Sequence, residues 1–364
     1  MIRRRNADHR NADDRASRDG GAILPLVAIS MVLLLGMGAM VIDIGHIYAE
    51  RRQLQNGADA AALAIAQSCA IRVGCTPGAY EPMAANLANR AARDGMTTVR
   101  EICFGGRTTT GLPQCGGGEA GDPRALGWVR VTTRTLTAEG DEVDFLLAPI
   151  VTALTGYTVE ATAIAGWGIA GAGRVLPFAL HECEYSALGG VLDPLNGVYP
   201  SGEQIIYSRY TTGNRNDTDC RTDYLGEGTS PGNYGWIDKP RLDCFADASV
   251  DVWSPGNPGN NPEIRNCSAE ILNKTVLLAI WQDADLSGGN NAEYEIIAFV
   301  GFTVTGYNLS GFNSPGFTCP PNPADPGAPA GSLRCFRGVF TEATFDGDFG
   351  GYYNTGVTSV KMIG

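Results

Sequence analysis

The residues best suited to chemistry are few in this chain and poorly placed to act together. Of the three histidines, His9, His46 and His181, only His181 lies in the long C-terminal part. It stands in His181-Glu182-Cys183, which lacks the two-histidine spacing that holds zinc on one helical face. Cys183 reads either as a nucleophile beside that imidazole or as a disulfide partner, and the second reading is favoured. Gly228-Thr229-Ser230-Pro231-Gly232 spells the string of a nucleophile elbow, but Pro231 defeats it. The residue after the serine must donate its backbone N–H to an oxyanion, and proline has none. Asp283-Ala284-Asp285-Leu286-Ser287-Gly288 opens like a calcium loop, with oxygens at the first, third and fifth places and glycine at the sixth. The glutamate due at the twelfth place is Tyr294, and Glu293 and Glu295 miss by one. A polar hairpin turn is the favoured reading, with adventitious calcium binding as the other. No catalytic, cofactor-binding or metal-binding residue is assigned, no cofactor is expected, and the chain is read as not an enzyme.

Ten cysteines remain, all between Cys69 and Cys335. Even the nearest two, Cys69 and Cys75, are too far apart for the C-x-x-C pairs of a metal site. An even count confined to one side of a membrane segment predicts disulfides in an oxidising space. Nearest-neighbour pairing would join Cys69 with Cys75, Cys103 with Cys115 and Cys319 with Cys335.

The elements that carry these residues begin with a membrane segment. Ala22 to Ile42 contains no charge, and as a helix it spans roughly 31 Å, against a hydrocarbon core of about 30 Å. Arg3, Arg4, Arg5, Arg10, Arg15 and Arg18 precede it, while only Arg51 and Arg52 follow within twenty residues. This asymmetry puts the N-terminus in the cytoplasm and the C-terminal body outside. A cleaved signal peptide is the alternative. The apolar stretch exceeds the 7–15 residues of a signal peptide's apolar region, and the sequence after it stays helical, which favours a retained anchor.

Past the span, Leu54, Ala58, Ala61, Ala62 and Ile65 recur on one helical face. Two readings stand side by side: a stalk that continues the membrane helix and docks on the outer domain, or an ordinary amphipathic helix. The run Val41-Ile42-Asp43-Ile44-Gly45, then Tyr48-Ala49, Arg51 to Asn56 and Ala58 to Ala64, resembles the N-terminal signature of the TadE/TadG-like Flp pilus-assembly family. In that family an apolar span ends in an Asp-x-Gly step and enters a Leu-Gln-x-x-x-Asp-Ala-x-Ala-Leu helix. His46 and Gly57 depart from the pattern, standing where a basic residue and an alanine are more usual. Phe145 to Trp167, Gly232 to Asp238 and Lys274 to Ile280 carry weaker resemblances. A prepilin-type cut after Gly20-Gly21 is not expected, because its usual glutamate is replaced by Pro25 or Leu26. The metal-binding von Willebrand A domain of longer relatives is not carried over either, because Asp247-Ala248-Ser249-Val250-Asp251 ends in aspartate where that motif has serine. The resemblance implies a bacterial inner-membrane component of tight-adherence pilus assembly or secretion, with protein partners among those subunits.

The predicted fold is α+β: a transmembrane helix running into a stalk helix, then a β-rich, disulfide-stabilised extracytoplasmic region. The organisation reads as a cytoplasmic tail at 1–21, the span at 22–42, a stalk and α+β region at 43–173, and a β-rich domain at 174–364. A second helix is expected at Pro82 to Arg93. Strands are expected at Trp128 to Leu136, Tyr157 to Ile164, Thr275 to Trp281, Tyr294 to Val304 and Leu333 to Phe340. Gly166 to Gly173 reads as a hinge or boundary, and the proline-rich Cys319 to Cys335 segment as a disulfide-closed loop. A net charge of −12 excludes the basic surface that nucleic acid requires. Tyr234, Trp236, Trp253, Tyr307, Phe312, Phe317, Tyr352 and Tyr353 read either as core or as a surface that grips a partner or sugar. They are the basis of the alternative function, a membrane-tethered module that recognises cell wall, polysaccharide or another surface. Any small-molecule ligand is left unassigned.

Overall fold

Nothing in the first seventy residues stops a helix once it has begun: the uncharged run passes directly into an alanine-rich one. In the computed structural model α1 (Gly20–Ala70) is accordingly one continuous helix, roughly 76 Å long. It is long and apolar enough to cross a membrane, and none of its most apolar window is buried. The structure describes residues 20–70, 75–116, 122–137, 140–147, 149, 155–194, 196–209, 236–238, 243–256, 264, 266–285, 293–309, 311–322, 329 and 331–364. The arginine-rich tail, the 228–232 string, Tyr234 and positions 286–292 lie outside them.

The second helix, α2 (Pro77–Ala91), starts five residues earlier than the pattern suggests. Its first turn is closed by the Thr76 carbonyl, which accepts from the N–H groups of Ala79 and Tyr80. Pro77 sits at the first helical position, where its missing donor costs nothing.

The chain forms two compact units. The first comprises residues up to Ala58, Ala85–Arg100 and Thr132–Thr162. Within it β3 (Val143–Asp144) and β4 (Gly156–Tyr157) pair antiparallel, and a small core gathers Leu54, Val143, Val159 and Ala161, with Ile47 against it.

The second unit comprises Asp59–Ala84, Glu101–Val131 and Ala163–Gly364. Its main sheet takes the order β7-β13-β11-β10-β6-β8, with β9 and β12 pairing β11. These strands are β6 (Ala172–His181), β7 (Glu203–Arg209), β8 (Ala246–Ser249), β9 (Trp253–Pro255), β10 (Thr275–Asp285), β11 (Glu293–Leu309), β12 (Phe312–Asn313) and β13 (Arg334–Thr341). Central β10 runs antiparallel to β11 and parallel to β6. Both faces of β10 are covered: Val276, Leu278 and Ile280 enter one core cluster, and Leu277 and Ala279 the other. A strand buried on both sides has no reason to alternate polar residues, which explains its unbroken apolar run. A further sheet, whose β1, β2 and β5 carry residues of both units, takes the order β1-β2-β5-β15-β14, from β1 (Thr97–Gly106), β2 (Gly127–Thr135), β5 (Glu160–Ile169), β14 (Ala343–Asp346) and β15 (Val357–Met362).

The expected α+β character holds. The glycine run at 166–173, read as a hinge or boundary, forms the end of β5, a turn and the start of β6. Its glycines allow close packing. A Cβ on Gly168 would meet the Phe349 ring at 3.2 Å, and one on Gly171 would lie 2.6 Å from the Gly350 backbone. The expected strand at Tyr157 to Ile164 starts later and runs longer, because Tyr157 belongs to β4.

Described disulfides join Cys69 to Cys75, Cys103 to Cys115, Cys244 to Cys267 and Cys319 to Cys335. All three nearest-neighbour pairings are among them. Cys183 is also disulfide-bonded, so the nucleophile reading of that thiol falls.

Candidate functional site

The distinctive feature is α1, which changes surroundings part-way along its length. From Ile23 to Ile42 its large side chains stand 50% or more exposed on every face. The stripe read from the sequence then disappears from solvent: Leu54, Ala58, Ala61, Ala62 and Ile65 are each 1% exposed or less. In the first unit Thr133 Oγ1 donates to the Leu54 carbonyl at 3.0 Å, and Gln55 Nε2 donates to the Thr162 carbonyl at 3.1 Å. Gln53 Oε1 accepts from the Arg93 N–H, tying α1 to the segment after α2. Gly57, one of the two departures from the family pattern, has a local reason. A Cβ there would sit 3.1 Å from the Ala88 Cα, so glycine lets the two helices approach closely.

Asp43 follows the last residue of the apolar span and is buried. Its carboxylate accepts from the Leu146 N–H at 2.9 Å and from the Leu147 N–H at 3.2 Å. A buried carboxylate is costly unless its oxygens are hydrogen-bonded, and two backbone donors serve it here. Sequence reasoning noted Asp43 only as a motif letter. The available signal was an acid directly after an uncharged run, paired with a second uncharged run more than one hundred residues later.

An open groove of about 700 Å³ lies in the same unit, lined by Ile47, Arg51, Arg134, Glu142, Tyr157 and Glu160 among others. Two of its charged residues, Arg134 and Glu160, are paired. Arg134 meets Glu160 at 2.7 Å and Asp141 at 3.2 Å, and Arg100 meets Glu160 at 2.6 Å. The hydrogen bond from Arg134, helped by Arg100, holds the Glu160 carboxyl below its ordinary range. That arrangement ties together Arg100 of β1, Arg134 of β2, Glu160 of β5 and Asp141.

His181, the candidate base, is a capping group. It precedes α3 (Glu182–Ala187), and its Nδ1 accepts from the Cys183 N–H at 2.9 Å. Its Nε2 lies 3.3 Å from the Gln282 carbonyl, so Nε2 carries the proton and donates. The ring packs edge-on against Trp281 with centroids 4.6 Å apart. Burial lowers its pKa to about 3, leaving a neutral imidazole with both nitrogens committed.

The calcium-like string is not a loop at its start. Asp283, Ala284 and Asp285 are the end of β10, in register with Glu295, Tyr294 and Glu293, and the Tyr294 ring is buried. Asp247 to Ser249 likewise belong to β8 and pair with β6. Of the aromatics weighed as a gripping surface, Trp236, Tyr307 and Phe317 are buried. Tyr353 is half-buried against the core, while Trp253 and Tyr352 stay exposed.

No curated protein and no solved structure matches the chain significantly. Residues 21–68 match the model of the family described as "Putative Flp pilus-assembly TadE/G-like". These are the same residues that form the bare and the docking parts of α1. Residues 21–68 are thus similar to the TadE/G-like Flp pilus-assembly family.

Proposed function

We propose that this protein is a non-enzymatic, membrane-anchored structural component of Flp-type pilus assembly or secretion. Residues 22–42 span the bacterial inner membrane once, with the arginine-rich tail in the cytoplasm. The disulfide-bonded body after α1's membrane segment lies outside, where an oxidising space keeps its cysteines paired. Its partners are other envelope subunits of the same apparatus, against which the outer body packs.

The observation that carries this reading is α1 itself. The family-matched stretch 21–68 is one helix, bare over a membrane's thickness and then buried along an alanine stripe. An anchor that continues as the spine of an outer body suits an assembly scaffold. The rival reading, a tethered module gripping sugars through aromatic loops, is left with Trp253 and Tyr352 among the described aromatics weighed for it.

The test is a clean deletion with complementation, scored by pilus imaging and surface attachment. The expected outcome is loss of pili and attachment, restored by the intact chain. Normal pili and attachment in the deletion strain would refute the proposal.

A further inference from the structure

We propose that the segment after β3, Phe145 to Leu147, is a second membrane contact, resting its apolar side chains in the lipid interface at the foot of α1. This rests on the reading of α1 as a membrane span.

The argument starts from place. A single exposed leucine on a soluble surface means nothing. Leu146, 65% exposed, is not on an ordinary surface. Its backbone N–H is 2.9 Å from the carboxylate of Asp43, and the next N–H is held by the same group. Asp43 directly follows Ile42, the end of a run whose helical length equals the hydrocarbon thickness. Leu146 is therefore fixed within one side chain's reach of the hydrocarbon edge. At that level the helix also exposes Val41, Ile42 and Ile44. Four residues on, Tyr48 is exposed with Arg52 lying over its ring at 5.0 Å. An aromatic ring with an arginine beside it is a pairing that favours the headgroup region. Phe145 to Leu147 carries no charged residue, and the exposed Asp144 before it marks the side that faces water. The Asp43 carboxylate satisfies two donors that would otherwise point toward a medium without acceptors. The occupant is the outer leaflet of the same bilayer that holds α1, because the surface is continuous with the span.

The test uses the full chain in vesicles whose lipids carry bromine at a shallow acyl position, read by tryptophan fluorescence. Leu146→Trp adds a reporter to the five native tryptophans, whose emission in the parent chain gives the background. Val32→Trp reports on the span, and Tyr352→Trp is the exposed control. An interfacial side chain sits about 5–10 Å into the headgroup and acyl boundary, so about half of the added Leu146→Trp emission should be quenched. Tyr352→Trp should be unaffected. Quenching of Val32→Trp without quenching of Leu146→Trp would overturn this inference and leave the anchor standing. Absence of quenching at Val32→Trp would remove the span and this contact together. Asp43→Ala combined with Leu146→Trp should abolish the quenching, and its persistence would show that the carboxylate does not place the segment. Should Leu146→Trp fail to fold, Leu146→Cys with an environment-sensitive label gives the same reading, since no described cysteine is free to compete.

Discussion

Replacing His181 by asparagine should abolish most of the acid sensitivity of this protein between pH 6.5 and pH 4.5. The imidazole sits at about 3 in the folded chain, pushed down by burial from an ordinary value of 6.5. Between those two values the unfolded chain binds a proton that the folded chain refuses. The folded state therefore loses stability as pH falls below 6.5, and would stop losing it near 3. At pH 5 the loss amounts to about 2 kcal/mol relative to pH 7, taking about 1.4 kcal/mol per unit below the unfolded value. Geometry supplies the same sign. A proton added at Nδ1 would face the Cys183 N–H, which now donates to that nitrogen at 2.9 Å. Asparagine at position 181 keeps a side-chain oxygen able to accept at a helix N-cap, so α3 retains its start. It removes the titrating ring. Guanidinium unfolding of the full chain in detergent, followed by tryptophan emission, reads this directly, since Trp281 packs on the imidazole. Other groups do not mask the window. The paired carboxylates Asp122, Asp243, Asp348 and Glu160 are held below their ordinary values and act at lower pH. Glu50 is raised by burial, contributes with the opposite sign, and is present in both proteins compared. A parent protein equally stable at pH 7 and pH 5, or a His181→Asn variant with an unchanged slope, would refute the reasoning.

Two further changes test the second unit. Cys244→Ser with Cys267→Ser opens a disulfide joining residues 23 apart within the main core cluster. It should cost about 3 kcal/mol, seen as a lower thermal midpoint in the absence of reductant and a narrower gap from the parent in its presence. Gly338→Ala places a methyl group 2.2 Å from the Thr303 carbonyl oxygen and 2.6 Å from the Phe302 ring. It should cost about 3 kcal/mol, the upper end of the overpacking range. Gly78→Ala, which meets open space, should leave the denaturation midpoint unchanged or slightly raised.

Those parts of the fold that announce themselves through a local period were legible in the sequence. The stripe from Leu54 to Ile65 is buried as its spacing requires, and β10, β11 and β13 form where apolar runs predict strands. β6 was missed because Gly173 and Pro177 argue against a central strand. The protein accommodates them: the β10–β6 register shifts between Leu277 and Ala279, opposite the stretch holding Pro177. β1 was missed because Arg100 and Glu101 interrupt its middle. Arg100 is drawn to Glu160 and Glu101 to Arg130, contacts that no local pattern encodes. The nearest-neighbour disulfides were legible because short loops close with little entropy. His181 looked like chemistry by residue type, and only burial showed that its nitrogens serve backbone groups.

The Asp43 contact was invisible for a different reason, which bears on how the anchor and the body are joined. A helix leaving a membrane can expose its first polar residue to water at no cost. Asp43 instead is buried, and burying a carboxylate without partners is prohibitive. The chain must therefore bring donors to it, and those donors come from Leu146 and Leu147. Local sequence states the need for a partner but not its identity, because backbone N–H groups carry no residue signature. The same logic explains why the partner segment is apolar. On the proposed membrane contact, donors delivered at the level of the hydrocarbon edge arrive on residues whose side chains tolerate that edge, and Leu146 and Leu147 do. On that proposal, Asp43 at the end of the span and the backbone N–H groups of Leu146 and Leu147 together hold the body at the membrane.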